Sequence, residues 1–115
     1  MNDVVLGKIK FVRFGIGGYN DIQFGLDLQF GSDGVDGWGV GNFYGFLDYT
    51  RVEHDENCKW TEDERNAQCI KTMKYISKIL NDAKVNNITD LKGIPVEVTF
   101  EKNMIKDWRV LTEVL

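Results

Sequence analysis

The clearest pattern in the chain is an alternation. From Asp21 to Phe30, the residues Ile22, Phe24, Leu26, Leu28 and Phe30 alternate with Asp21, Gln23, Gly25, Asp27 and Gln29. A period of two predicts a strand with one face buried and the other wetted. Residues 4–14 (VVLGKIKFVRF) read as a strand before it. The glycines and asparagine of GIGGYN (15–20) suit a hairpin turn between the two, and GSDGVDG (31–37) reads as the next turn. Strand character resumes over 38–49 (WGVGNFYGFLDY). Its even positions carry Trp38, Val40, Asn42, Tyr44 and Phe46, and its odd positions carry Gly39, Gly41, Phe43, Gly45 and Leu47. Glycine weakens a strand, so a face built on it implies close approach by a packed ring, another chain's backbone or a ligand.

The period changes after a loop at 50–60. Thr61 followed by Glu64 makes the T-x-x-E capping box, and Glu62 and Asp63 suit the positive end of a helix dipole. Ile70, Met73, Ile76, Leu80 and Ala83 recur at spacings of three and four, predicting an amphipathic helix over about 62–84 with that stripe turned inward. Asn86-Asn87 supplies a stop. ITDLKG (88–93) reads as a short turn or helical piece. Ile94, Val96, Val98 and Phe100 alternate with Glu97, Thr99 and Glu101, so 94–101 is a strand. Lys102-Asn103 is a tight turn, and 104–114 returns as the last strand through Trp108 and Val110. The expected fold is α+β: an antiparallel sheet of about five strands packed against one long helix, with 1–115 a single domain.

Composition narrows the function more than the fold. The chain has 115 residues, a single proline, 43% hydrophobic and 28% charged residues, which suits a globular domain and not a disordered one. The net charge of −4 argues against duplex nucleic acid as a partner, since such binding rests on surplus Lys and Arg. The carboxylates between Asp48 and Glu64 invite the idea of a nucleic-acid mimic, but Arg51, Lys59 and Arg65 lie among them, as on an ordinary mixed surface. No run approaches the roughly 20 apolar residues of a membrane span. No secretory signal is visible at Met1–Leu6, so a cytoplasmic setting with Cys58 and Cys69 as free thiols is expected.

Candidate chemistry is sparse. FGIGGYND lacks the third glycine of a dinucleotide loop and precedes a strand, so a hairpin turn accounts for it. His54, Cys58 and Cys69 are the soft ligands, and their spacing fits no structural zinc pattern; neither a metal nor a cofactor is expected. A Cys58–His54 pair has no evident orienting group, so catalysis is not expected. The remaining concentration is aromatic. Rings at Trp38, Phe43, Tyr44 and Trp60 could stack on a base, Arg51 and Arg65 could hold an anion, and Asn42 lies among them. These seven residues are the candidate ligand-binding set. Packing of the rings into the core, and an oligomer or partner interface, remain open beside that reading. Exposed sheet edges and a glycine-faced strand also lead us to expect self-association.

The runs GWGVGNFYG (37–45), HDENCKWTEDER (54–65) and GIPVEVTFEKNMIKDWRVLTEVL (93–115) resemble a family of small phage and prophage proteins, over about residues 8–115. The resemblance carries no catalytic motif and fixes no ligand. It implies a phage accessory protein acting in the cytoplasm of the infected bacterium. Proteins of that size and origin often antagonise host defence, either by sequestering a nucleotide-derived immune signal or by blocking a defence effector as anti-CRISPR proteins do. The expectation carried forward is sequestration without catalysis. The alternatives are a protein–protein inhibitor and a small enzyme acting on a nucleotide.

Overall fold

The computed structural model describes residues 2–32 and 37–115. They form a five-stranded antiparallel sheet and one long helix, the α+β arrangement expected. The strands are β1 (Asn2–Gly17), β2 (Gln23–Gly31), β3 (Gly39–Leu47), β4 (Pro95–Glu101) and β5 (Met104–Val110). The helix α1 spans Glu62–Ala83. The order across the sheet is β3-β2-β1-β4-β5, so β3 and β5 are the edges. Much of the turn read at 31–37 lies outside the described residues.

β1 is longer than its sequence pattern indicates and does two jobs. Its first half pairs with β4, from Asn2↔Glu101 to Lys8↔Pro95. Its second half pairs with β2, from Lys8↔Gly31 to Gly17↔Gln23. A register shift between Ile9 and Phe11 leaves Lys10 as an extra residue. Such a bulge switches which parity faces inward. Val5 and Ile9 face the core before it, and Val12 faces it afterwards. Phe11 is thrown onto the outer face, where it is half exposed. The strand continues through Gly15–Gly17, so the reversal into β2 falls later than the expected GIGGYN turn. It is made by Gly18 at positive φ and a short 3-10 turn, Tyr19–Asp21.

β2 keeps the alternation read from its sequence. Leu26, Leu28 and Phe30 are fully buried, and Gln29 is exposed. The close approach implied by the glycines of β3 occurs where Gly25 pairs with Gly45. A Cβ on Gly25 would fall on the Tyr44 carbonyl and the Cα of Gly45, and one on Gly45 would fall on the Phe24 carbonyl. No side chain fits at either position, so glycine on both strands is what lets the two backbones approach this closely.

α1 begins where the capping pattern placed it. The Thr61 hydroxyl accepts from the Glu64 amide at 3.1 Å. It ends at Lys84 in the left-handed conformation, with the Val85 amide bonded back to the Leu80 carbonyl at 3.1 Å. This Schellman-type stop precedes Asn86-Asn87. Asn87 instead caps the 3-10 turn Ile88–Leu91. The inward stripe also differs from the apolar one. Ile70 and Met73 are 57% and 52% exposed, whereas Arg65, Thr72, Ile76, Ile79 and Ala83 are buried. Two polar side chains hold inward positions, Thr72 by bonding its own helix at the Gln68 carbonyl, 2.8 Å away. The β4–β5 turn is Lys102-Asn103, both at positive φ, as a two-residue hairpin requires. β5 ends at Val110, and the tail read as strand becomes a 3-10 turn, Thr112–Val114.

The sheet curls around the core. Trp108 on β5 packs on Phe30 of β2, ring centroids 4.8 Å apart. Trp38, just before β3, meets Phe100 of β4 edge-on at 5.7 Å. Outer strands that a flat sheet would hold far apart therefore come within reach of the same helix.

Candidate functional site

The loop from β3 into α1 is built around two charged residues. Asp48 opens it: one carboxylate oxygen accepts from the Thr50 hydroxyl at 2.6 Å and from the Thr50 and Arg51 amides at 3.1 and 3.0 Å. The Thr50 hydroxyl bond is the main reason the Asp48 carboxyl is held below its ordinary range, with the two amides and Arg51 adding to it against desolvation. Arg65 closes the loop from one turn inside the helix. Its Nη1 donates to the carbonyls of Val52, Asp48 and Leu47 at 2.6, 3.2 and 3.5 Å, and its Nη2 pairs with the Glu62 carboxylate. The guanidinium lies between two rings, 4.6 Å from the Tyr49 centroid and 4.5 Å from the Trp60 centroid. It is 5% exposed, and its Nε has no hydrogen-bond partner among the described residues. A planar fork is the side chain that can serve three carbonyls, a carboxylate and two ring faces at once.

Beside this node lies a cleft of about 420 Å³. Leu47 from β3 and Trp60 from the loop form part of its wall. Glu64, Ala67, Gln68 and Lys71 form the rest, with Arg65 beneath. The four helix residues recur at three- and four-residue spacing, so they share one flank of α1. Gln68 Nε2 donates to the Gly45 carbonyl at 3.2 Å, which leaves its amide oxygen as an acceptor. Lys71 has no ion-pair partner among the described residues. His54 turns its ring edge-on to Trp60, centroids 4.9 Å apart, and its Nε2 meets the Trp60 carbonyl at 3.0 Å.

A second cleft, of about 270 Å³, lies further along, between β3 and β5. Tyr75 divides it from a smaller one that also reaches Lys78 and Asp82. The Tyr75 hydroxyl receives Nδ2 of Asn42 at 3.2 Å and Nε1 of Trp108 at 3.0 Å. Tyr44 stacks on Tyr75 with centroids 4.2 Å apart and planes 16° from parallel. Burial pushes the Tyr75 phenol up to about 12, although the bond from Trp108 acts the other way.

The seven candidate residues are thus divided. Trp60 and Arg65 meet in the first cleft, and Asn42 and Tyr44 meet in the second. Trp38 lies in a third, of about 290 Å³, with Asp3, Val5, Phe100 and Asn103. Phe43 points to the other side of the sheet, over Gly17. Arg51 reaches the Asp21 carbonyl at 3.4 Å. The residues that sequence reasoning missed are Leu47, Glu64, Gln68 and Lys71 in the first cleft and Tyr75, Lys106, Asp107 and Trp108 in the second. The flank 64, 68, 71, 75 was readable as a helical row once Arg65 is taken as an inward residue.

Cys58 and Cys69 are free and half-buried. Among the described residues no three His, Cys, Asp or Glu side chains gather as a metal-holding group, and no helix is long and apolar enough to cross a membrane. Comparison with family models, with curated proteins and with solved structures finds no match to this chain.

Proposed function

We propose that the protein binds a small, planar, anionic ligand of nucleotide type in the Trp60–Lys71 cleft and holds it without turnover. The observation that carries this reading is the cleft itself. At about 420 Å³ it falls within the roughly 300–1,000 Å³ typical of small-molecule sites, and the other clefts described above are smaller. Its lining offers one group for each part of such a ligand. The Trp60 ring, one face of which lies against the Arg65 guanidinium, supplies a stacking surface. Lys71 supplies a cation for a phosphate. The amide oxygen of Gln68 accepts from a base amino group, and Glu64 accepts from a sugar hydroxyl. Leu47 and Ala67 give the apolar part of its wall.

Retention without turnover is favoured by how the reactive side chains are engaged. The His54 ring nitrogen is bonded to a carbonyl, and the Arg65 fork is committed to the loop. The resemblance to phage proteins gives this binding a purpose: sequestration of a nucleotide-derived signal of host defence. Calorimetric titration against cyclic dinucleotides and ADP-ribose-type nucleotides tests it. Binding of one class, abolished by Lys71→Glu and weakened by Trp60→Ala, is the expected result. The bound nucleotide should be recovered intact after the protein is denatured. Absence of heat with every member of the panel overturns the reading, and recovery of a cleaved nucleotide replaces it with an enzyme.

A second reading, inhibition of a host protein, is favoured by Val4, Leu6 and Phe11. These are 56%, 64% and 48% exposed on the face of the sheet away from α1. A stoichiometric host partner whose capture is lost in Leu6→Asp supports it, and capture unchanged in that variant counts against it.

A further inference from the structure

The two edges of the sheet are protected unequally. β5 has a register shift opposite Thr99 and Phe100, and it carries Lys106, Asp107 and Arg109. Arg109 is paired with Glu97 and Glu113. A bulge and charges are how edge strands resist pairing with another chain. β3 has neither device. Its nine residues pair with β2 without a register shift, and no residue from Gly37 to Leu47 is charged or proline.

The hydrogen bonding shows which backbone groups this edge offers. Asp48 N–H bonds to the Ile22 carbonyl at 2.9 Å, and Ser32 N–H bonds to the Trp38 carbonyl at 3.3 Å. In an antiparallel ladder those two bonds assign the even residues of β3 to β2, so the odd residues turn their N–H and C=O outward. Two of the outward carbonyls are taken by α1: Gly45 by Gln68, and Leu47 by Arg65. Among the described residues no side chain is bonded to the outward groups of Gly39, Gly41 or Phe43. Half the edge is therefore capped by the helix and half is open, and the open half includes Gly39 and Gly41, both exposed and without a side chain to obstruct approach.

We propose that this open half pairs with the same segment of a second copy, antiparallel about Gly41, and joins two sheets edge to edge. The segment complements itself. Gly39 falls opposite Phe43 of the second copy and Val40 beside Asn42, while each Phe43 ring stays over Gly17 of its own chain, clear of the seam. About six backbone hydrogen bonds form between the odd residues. A chain of net charge −4 meets its copy along a strip that carries no charge, so like charges are not forced together. Five residues from each copy bury less than the roughly 1,000 Å² of a stable interface, so the dimer is weak and reversible. The pairing is independent of the ligand reading, since the Trp60–Lys71 cleft adjoins the capped half of the edge.

Sedimentation of the full chain from micromolar to near-millimolar concentration tests this. The 13.2 kDa monomer should give way to a species of twice that mass as concentration rises. Gly39→Lys is the first variant, because the nearest described atom to a Cβ there is the Phe30 carbonyl oxygen at 3.7 Å, an ordinary contact. Gly41→Pro is the second: it removes the central outward N–H, which β2 does not use. Each variant with a native circular dichroism spectrum should weaken dimerisation at least roughly tenfold. If Gly41→Pro misfolds, Gly39→Lys decides alone. A wild-type chain that stays monomeric throughout, or a dimer retained by either folded variant, overturns the proposal.

Discussion

The hydroxyl of Tyr75 accepts the indole proton of Trp108 at 3.0 Å and, on its other side, an amide proton of Asn42 at 3.2 Å. One helix residue thereby ties together the two edge strands of the sheet, β5 and β3, which do not neighbour each other in it. Tyr75→Phe keeps the ring and its stacking on Tyr44 but leaves two part-buried N–H groups without their acceptor. We expect a loss of about 1–3 kcal/mol in urea unfolding. A variant as stable as the wild type would mean that water replaces the hydroxyl, and that the node is wetter than its burial indicates.

The same hydroxyl sets an alkaline limit. Burial raises the Tyr75 phenol from its ordinary 10 to about 12 in the folded chain. The folded value is the higher one, so the folded state holds the proton more tightly than the unfolded state. Stability linked to this group is complete below pH 10 and is lost as pH rises towards about 12. Unfolding midpoints measured across that window should fall more steeply in the wild type than in Tyr75→Phe. Parallel slopes would show that other groups govern the alkaline transition.

Gly25 and Gly45 have a different kind of necessity. A Cβ at either would meet backbone atoms of the neighbouring strand, which cannot swing aside as a side chain can. Gly25→Ala and Gly45→Ala should each cost about 3 kcal/mol or abolish folding. Gly39→Ala, with its nearest foreign atom at 3.7 Å, should stay within about 0.5 kcal/mol of the wild type. Thermal melts of the three variants separate a constraint at the strand crossing from a general dislike of larger residues in this segment.

Local chemistry explains which features were legible in the sequence. The alternation from Phe24 to Phe30 mapped onto β2 because its two faces have different solvents, whereas Asp21 and Ile22, read as its start, belong to the turn before it. Thr61 marked the helix start because its hydroxyl answers an amide three residues on. Lys102-Asn103 marked a turn because asparagine tolerates positive φ. The illegible features were relations between distant residues. Lys10 carries no sign of the bulge that reverses the parity of β1. The inward row of α1 contains Arg65 and Thr72, so a hydrophobic pattern selects Ile70 and Met73, which face solvent. The ring-rich stretch looked like one site because its residues are near in sequence. Alternation across β3 and the curl of the sheet separate them, and most of the residues that complete the two larger groupings come from α1 and β5.

Arg65 offers the sharpest separation of structure from binding. Its fork holds the Leu47, Asp48 and Val52 carbonyls, pairs with Glu62 and lies between Tyr49 and Trp60. Lysine keeps the charge but has neither the fork nor the flat face, so it can satisfy only some of these partners. Arg65→Lys should destabilise the fold by about 3 kcal/mol, the scale of breaking a buried charged contact. It should also make residues 49–60 susceptible to limited proteolysis at temperatures where α1 remains helical. Lys71→Glu, on the rim of the same cleft, should leave both the melting temperature and the proteolytic pattern unchanged while removing the nucleotide binding proposed above. If Arg65→Lys instead leaves the loop resistant to protease, the guanidinium is not the clamp, and the arrangement of Asp48 with Thr50 must hold the loop without it.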